Sequence, residues 1–120
     1  MKIYVAHSTK YDYKKELYDF IRKSELNLIH GFILPHENSQ ELFNSKDLFE
    51  NGCDLVIAEV SLPSIGMGIE LGWANMKHIP IICFYKKGSV VSSSLKAVTD
   101  KIIEYENEKD FISKLEIALE

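Results

Sequence analysis

Residues 54–72 read DLVIAEVSLPSIGMGIELG. Leu55 to Val60 is apolar at every position except Glu59, the pattern of a central parallel strand covered by helices on both faces. Ser61 to Gly68 follows as a loop stiffened by Pro63, and a helix is predicted from about Ile69 to Met76. Strand, loop and helix in that order form part of a βαβ unit, so the segments on either side decide the fold.

Toward the N-terminus, Lys2 to Ala6 (KIYVA) reads as a strand. A helix follows from about Asp12 to Ser24, with Tyr13, Leu17, Phe20 and Ile21 at i, i+4, i+7 and i+8 on one face. Gly31 to Leu34 (GFIL) is a short strand stopped by Pro35. The next helix is predicted from Ser39 or Gln40 to about Asn51, with Gly52 as its stop. Toward the C-terminus, Pro80 to Tyr85 (PIICFY) is a strand and Lys86 to Ser94 a Gly/Ser-containing loop. A short helix over Leu95 to Thr99 and a strand over Ile102 to Tyr105 follow. Asn107 then caps a final helix whose inward stripe is Phe111, Leu115 and Leu119. The alternation predicts an α/β chain: a three-layer Rossmann-like (flavodoxin-like) sandwich around a five-stranded parallel sheet. Ligands of such sheets bind beyond the carboxyl ends of the strands. That brings loops 7–10, 35–38, 61–68 and 86–94 to one rim.

The 120 residues fit one domain spanning 1–120, long enough to bury roughly two-thirds of its unfolded surface. A net charge of -4 leaves no basic footprint, which argues against nucleic acid as a partner. Cys53 and Cys83 lack metal-ligand spacing and are expected to be buried free thiols, and neither a metal nor a cofactor is expected. Met1-Lys2 leads straight into a strand, with no signal peptide, and no apolar stretch reaches the roughly 18 residues of a membrane span. A cytoplasmic protein with no membrane partner is the expectation.

The chemistry concentrates after the third strand. Gly66 and Gly68 let backbone approach a ligand closely, and the helix start beyond them offers free N–H groups to an anion, with the Ser64 hydroxyl alongside. Glu70 falls in the predicted first turn, where the helix dipole favours its ionised form. Glu70 is there either a cap or a nucleophile for an electrophilic carbon. Asp47, near the predicted end of the second helix, is either a solvated residue or the second carboxylate that protonates a leaving group.

The stretch Asp54 to Gly72 closely resembles the signature of the nucleoside 2-deoxyribosyltransferase family, and within it the 2′-deoxynucleoside 5′-phosphate N-hydrolases. The likeness is dense over 47–96 and looser over 1–46. It implies that Glu70 is the nucleophile forming a covalent deoxyribosyl intermediate and that Asp47 assists the leaving base. The spacing from Asp47 to Asp54 is one residue shorter than in the family. Tyr4 matches the first-strand tyrosine lining the sugar pocket, Ser64 the serine of the phosphate hydrolases where transferases carry an acid, and Gly66 their phosphate-loop glycine. Ser92 matches a serine contributed to a neighbouring subunit's site, which implies a homodimer. His36 has a counterpart at the rim, with a base- or sugar-contacting role standing beside simple solvation.

The first loop departs from the family. His7-Ser8-Thr9-Lys10 stands where the hydrolases have a Gly-Ser-x-Arg-like sequence. Ser8 and Lys10 take the serine and arginine places, but lysine lacks the bidentate fork, and His7 is expected to narrow the site. The leading expectation is hydrolysis of a deoxynucleoside 5′-monophosphate to free base and 2-deoxyribose 5-phosphate. Its competitors are base exchange between deoxynucleosides, nucleotide binding without turnover and, ranked lower, hydrolysis of NAD.

Overall fold

The computed structural model describes residues 1–120. Five strands, β1 (Lys2–His7), β2 (Gly31–Ile33), β3 (Leu55–Glu59), β4 (Ile81–Lys86) and β5 (Ile102–Tyr105), form one parallel sheet in the order β2-β1-β3-β4-β5. The chain leaves β1 for β2 on one side and returns to β3 on the other. Strand order therefore reverses at β1, and the crevice beyond β1 and β3 is where such sheets take ligands. His7 pairs with Glu59 at that rim.

Side chains of the strands alternate between two apolar layers. Ile3, Val5, Leu55, Ile57, Ile82 and Phe84 face one layer, covered by the helical segment Lys14–Tyr18, by α1 (Asp19–Lys23) and by α5 (Glu108–Ala118) through Leu17, Ile21, Phe111 and Leu115. Tyr4, Ala6, Val56, Ala58, Ile81 and Cys83 face the other, covered by α3 (Ser45–Asn51) and α4 (Ile65–Met76) through Phe49, Met67, Leu71 and Ala74. Each large apolar side chain so buried contributes ~1.5–3 kcal/mol. The small Ala6 and Ala58 lie in the same layer as α4. No helix is long and apolar enough to cross a membrane.

Four helices differ from the sequence prediction, the short one after β4 lying at Ser93–Ala97 instead of Leu95–Thr99. The first helix is interrupted: a π turn over Lys14–Tyr18 runs into α1, Ser24 turns extended, and α2 (Leu26–Ile29) follows separately. Ser24 Oγ donates to the Ile21 carbonyl, so the side chain competes for the helix's own acceptor. The second helix begins at Ser45, not at Ser39 or Gln40. Asn44 is its cap, accepting from Asp47 N–H at 3.1 Å, and the Gln40 amide is engaged with Tyr13 Oη. The third begins at Ile65, four residues early, because Ser64 Oγ accepts from Met67 N–H at 3.3 Å and caps it there.

Candidate active site

That earlier start moves Glu70 out of the first turn. It sits six residues past the cap, ~9 Å along the axis, where the dipole no longer dominates. Its pKa is raised rather than lowered, because burial disfavours the charged form. Tyr4, Ser45 and His36 pull the other way. The Tyr4 phenol donates to Glu70 Oε2 at 2.5 Å. Tyr4 is 1% exposed, and burial together with Glu70 pushes its pKa far upward, so it remains a donor. A half-buried carboxylate held by one phenol at the rim of a parallel sheet is positioned to attack an electrophilic carbon.

Asp47 makes no side-chain hydrogen bond to this pair; its backbone N–H donates to Asn44 and its carbonyl accepts from Asn51. It lies in the first turn of α3, not near its end, and its side chain is exposed. Ser45, 2% exposed and two residues before Asp47, is the α3 side chain that meets Glu70 and Tyr4. Ser45 was missed in the sequence. The Asn44 cap is the one signal that would have set the helix's rotation and shown Ser45 inward.

The loop after β2 holds His36 beside the rings of His7 and Tyr13, at 6.0 and 6.1 Å. The His36 backbone N–H donates to Tyr18 Oη at 3.1 Å. The neighbouring Glu37 takes a two-pronged bond from Arg22, Nε and Nη2 each at 2.8 Å, and Arg22 also donates to the Phe32 carbonyl. His36 Nδ1 is buried with no partner. His7 does not narrow the site. As an odd position of β1 it turns to the opposite layer, stacks on Tyr13 at 4.5 Å, donates from Nδ1 to the Ser8 carbonyl and accepts the Tyr18 hydroxyl at Nε2. Burial lowers its pKa, which keeps it neutral.

A cavity of about 950 Å³ opens on the other flank of α4, lined by Ser8, Lys10, Ser64, Gly68, Ser92 and Leu95 among others. Glu70 and Tyr4 are not in its wall. Glu70 stands ~160° around the helix from Gly68, so the two groups of predicted residues meet only across the capped end of α4. Gly66 and Gly68 are ordinary helical residues, and a Cβ on Gly68 would meet nothing within 4 Å. Glu59 holds the loop that leads to the cap. It accepts Ser61 N–H at 2.7 Å, Ser61 Oγ at 2.9 Å and the Tyr105 hydroxyl.

No protein-family model matches the chain. Over 90 residues it is 32% identical to a protein of Methanococcoides burtonii with the provisional name 2′-deoxynucleoside 5′-phosphate N-hydrolase 1, covering 65% of this chain and 74% of that one. The chain belongs to the 2′-deoxynucleoside 5′-phosphate N-hydrolase family. A rat 5-hydroxymethyl-dUMP N-hydrolase is 41% identical over 49 residues, 39% of this chain and 30% of that one. Against that protein and several other relatives, the matched stretch spans 25% to 42% of their length. The solved structure of Clostridium botulinum CMP N-glycosidase superposes with a TM-score of 0.72 at 24% identity, covering 98% of this chain and 99% of that one, which shows a shared fold.

Two features of the rim bear on the pattern that the sequence resemblance implies for this N-hydrolase family member. Ser92 lines its own chain's cavity together with Ser64 and Ser8, because the loop after β4 folds back through a 3-10 turn at Ser93–Ala97 over the same rim. The first loop is fixed by a neutral imidazole, with Ser8 only 1% exposed and its Oγ accepting Lys10 N–H at 3.2 Å. Lys10 is then the cation of the cavity wall.

Proposed function

We propose that this chain hydrolyses the N-glycosidic bond of 2′-deoxynucleoside 5′-monophosphates, releasing free base and 2-deoxyribose 5-phosphate through a covalent intermediate on Glu70. The observation that carries the reading is the Tyr4–Glu70 pair beside the strand-order reversal. Glu70 attacks C1′ as the base departs, and water then cleaves the ester. Without a 2′-hydroxyl the oxocarbenium-like transition state is reached more easily, so deoxy substrates are the natural class. The 5′-phosphate goes to the capped end of α4, where free N–H groups, the uncharged Ser64 and Lys10 converge on the cavity. Family membership and the names of the relatives support the reaction class.

The test is a product screen over deoxynucleosides, ribonucleosides and their 5′-monophosphates. Base release is expected from the deoxynucleotides and is abolished by Glu70→Ala. A Glu70→Ala variant with unimpaired turnover refutes the mechanism, and a base-exchanged nucleoside formed in the presence of a second base reassigns the chain to transfer.

The outward face of α4 supports a homodimer. Ile65, Ile69, Trp73 and Met76 recur at helical spacing there, with Ile65 87% and Met76 77% exposed. Sedimentation of the wild type against Trp73→Glu tests it, with a dimer expected for the first and a monomer for the second. The reading places the enzyme in the cytoplasm, with Cys53 and Cys83 as free thiols.

A further inference from the structure

We propose that His7 is a positioning residue for the 5′-phosphate: its imidazole fixes the Ser8–Thr9 peptide so that the loop after β1 turns its donors to the cavity, and the site thereby prefers nucleotides to nucleosides. The assignment rests on the placement of the phosphate in the reading above. His7 touches no substrate and acts through the backbone of its neighbours.

His7 ends β1 and is 7% exposed. The Ser8 carbonyl can only accept, so Nδ1, 2.9 Å from it, carries the ring proton. Nε2 is then an acceptor, and Tyr18 Oη donates to it at 2.6 Å. The same Oη accepts the His36 N–H at 3.1 Å. One line of bonds therefore runs from the loop after β1 through His7 and Tyr18 to the loop after β2. The ring is held in that line by its neighbours: Tyr13 stacks on it at 4.5 Å, and Tyr18 meets it edge-on at 5.1 Å. Burial lowers the His7 pKa and keeps the imidazole in the neutral form that one donor and one acceptor require.

The consequence falls on the next peptide. In a planar trans peptide the C=O and N–H point opposite ways. With the Ser8 carbonyl turned to His7, the Thr9 N–H points away from the imidazole, and it donates to no acceptor in the chain. Ser8 Oγ accepts the Lys10 N–H at 3.2 Å, which closes the turn and leaves the hydroxyl proton free to be given. Ser8, Thr9 and Lys10 line the cavity together with Ser64. Lys10 by itself gives an anion little direction, because an ammonium is a compact charge on a flexible stem. Direction comes from fixed donors, and backbone N–H groups held in a turn are an anion-binding arrangement. Without the imidazole the Ser8 carbonyl loses its partner. The peptide is then free to turn over, which replaces an N–H with a carbonyl oxygen that repels phosphate.

The experiment measures two affinities by calorimetry in a Glu70→Ala background, for the tightest-binding deoxynucleoside 5′-monophosphate and for its parent deoxynucleoside. His7→Gln keeps an acceptor for Tyr18 but sets no donor at the Ser8 carbonyl, and His7→Phe keeps the stack on Tyr13 and has neither. Each is expected to weaken nucleotide binding ~10-fold, the effect of about one hydrogen bond, while nucleoside binding changes less than about twofold. His7→Asn, whose amide nitrogen takes the place of Nδ1, is expected to bring nucleotide affinity back to within about threefold of the parent protein. Retained nucleoside binding also reports that a variant is folded, and His7→Gln carries the comparison where His7→Phe does not fold. Equal weakening of both ligands, unchanged nucleotide affinity, no rescue by His7→Asn, or a parent protein that binds nucleotide no better than nucleoside overturns the role of His7. Base release is scored separately with Glu70 intact. Its absence refutes the glycosidase reading and leaves His7 to be decided by the two affinities.

Discussion

Replacing Tyr4 with Phe deletes one oxygen and one hydrogen bond from the centre of the site. The ring of Tyr4 stacks on Phe43 at 5.6 Å and meets Phe49 edge-on at 5.4 Å, and a phenylalanine ring keeps both contacts. What is lost is the 2.5 Å bond to Glu70 Oε2. A hydrogen bond to a charged group contributes ~1.5–3 kcal/mol, and for a half-buried carboxylate the lower end, ~1.5 kcal/mol, applies. That bond favours the ionised form, so its removal raises the Glu70 pKa further. The nucleophile acts as carboxylate. Activity is therefore present above the Glu70 pKa and lost as pH falls through it, and burial already sets that limb above the ordinary glutamate range. Tyr4→Phe moves it further toward alkaline pH. Stability runs the other way. A carboxyl whose folded pKa is raised contributes stability fully present below its unfolded pKa and lost as pH rises through the folded one, so the variant's deficit is larger near about pH 8 than near about pH 4. The assay is base release against pH, with urea unfolding at both ends of the range. An acid limb that coincides with that of the wild type refutes the reasoning.

Three further outcomes follow from local geometry. Gly68→Ala adds a methyl with no neighbour within 4 Å in the middle of a helix, so urea unfolding should register a gain of ~0.5–1 kcal/mol, while the methyl intrudes on the cavity and raises KM. Glu59→Ala strands the Ser61 N–H, the Ser61 hydroxyl and the Tyr105 hydroxyl, for a loss of ~3 kcal/mol in the same assay and a fall in activity as the loop before Ser64 loosens. His78 ends α4 at φ 59°, a left-handed conformation that glycine adopts without strain, so His78→Gly stabilises by ~1 kcal/mol with kcat unchanged.

The sheet was legible because parallel strands covered on both faces leave unbroken apolar runs. LVIAEV and PIICFY announce themselves without any knowledge of their neighbours. The helix starts were not, and the site depends on them. Gly66 and Gly68 have low helical propensity, which masks a helix whose onset is set by one hydroxyl, that of Ser64. Placing the start at Ile69 put Glu70 in the first turn and reversed the direction of its pKa shift. The same kind of displacement hid Ser45. A start at Ser39 or Gln40 leaves Asp47 late in the helix, whereas the Asn44 cap puts it in the first turn, exposed. His7 follows a simpler rule. Strand alternation sends it to the layer opposite Tyr4, and the sequence carries that signal once β1 is extended through His7.

The distance between the capped end of α4 and Glu70 bears directly on how one helix serves two negative charges. In the proposed reaction a phosphate sits at the helix start while the nucleophile is ionised. A carboxylate in the first turn, ~4 Å from such a phosphate, meets repulsion of ~4 kcal/mol per unit charge at an effective dielectric of ~20. At the ~9 Å set by six residues of helix rise, the same repulsion is ~2 kcal/mol. Tyr4, Ser45 and His36 then stabilise the carboxylate where the helix dipole no longer does. Moving Glu70 deeper along α4 gives up the dipole's help and leaves the free N–H groups at the helix start to the substrate. The nucleophile is held instead by side chains from β1, α3 and the loop after β2. These flank it from directions the phosphate does not occupy, so binding the 5′ end and ionising Glu70 need not compete for the same donors.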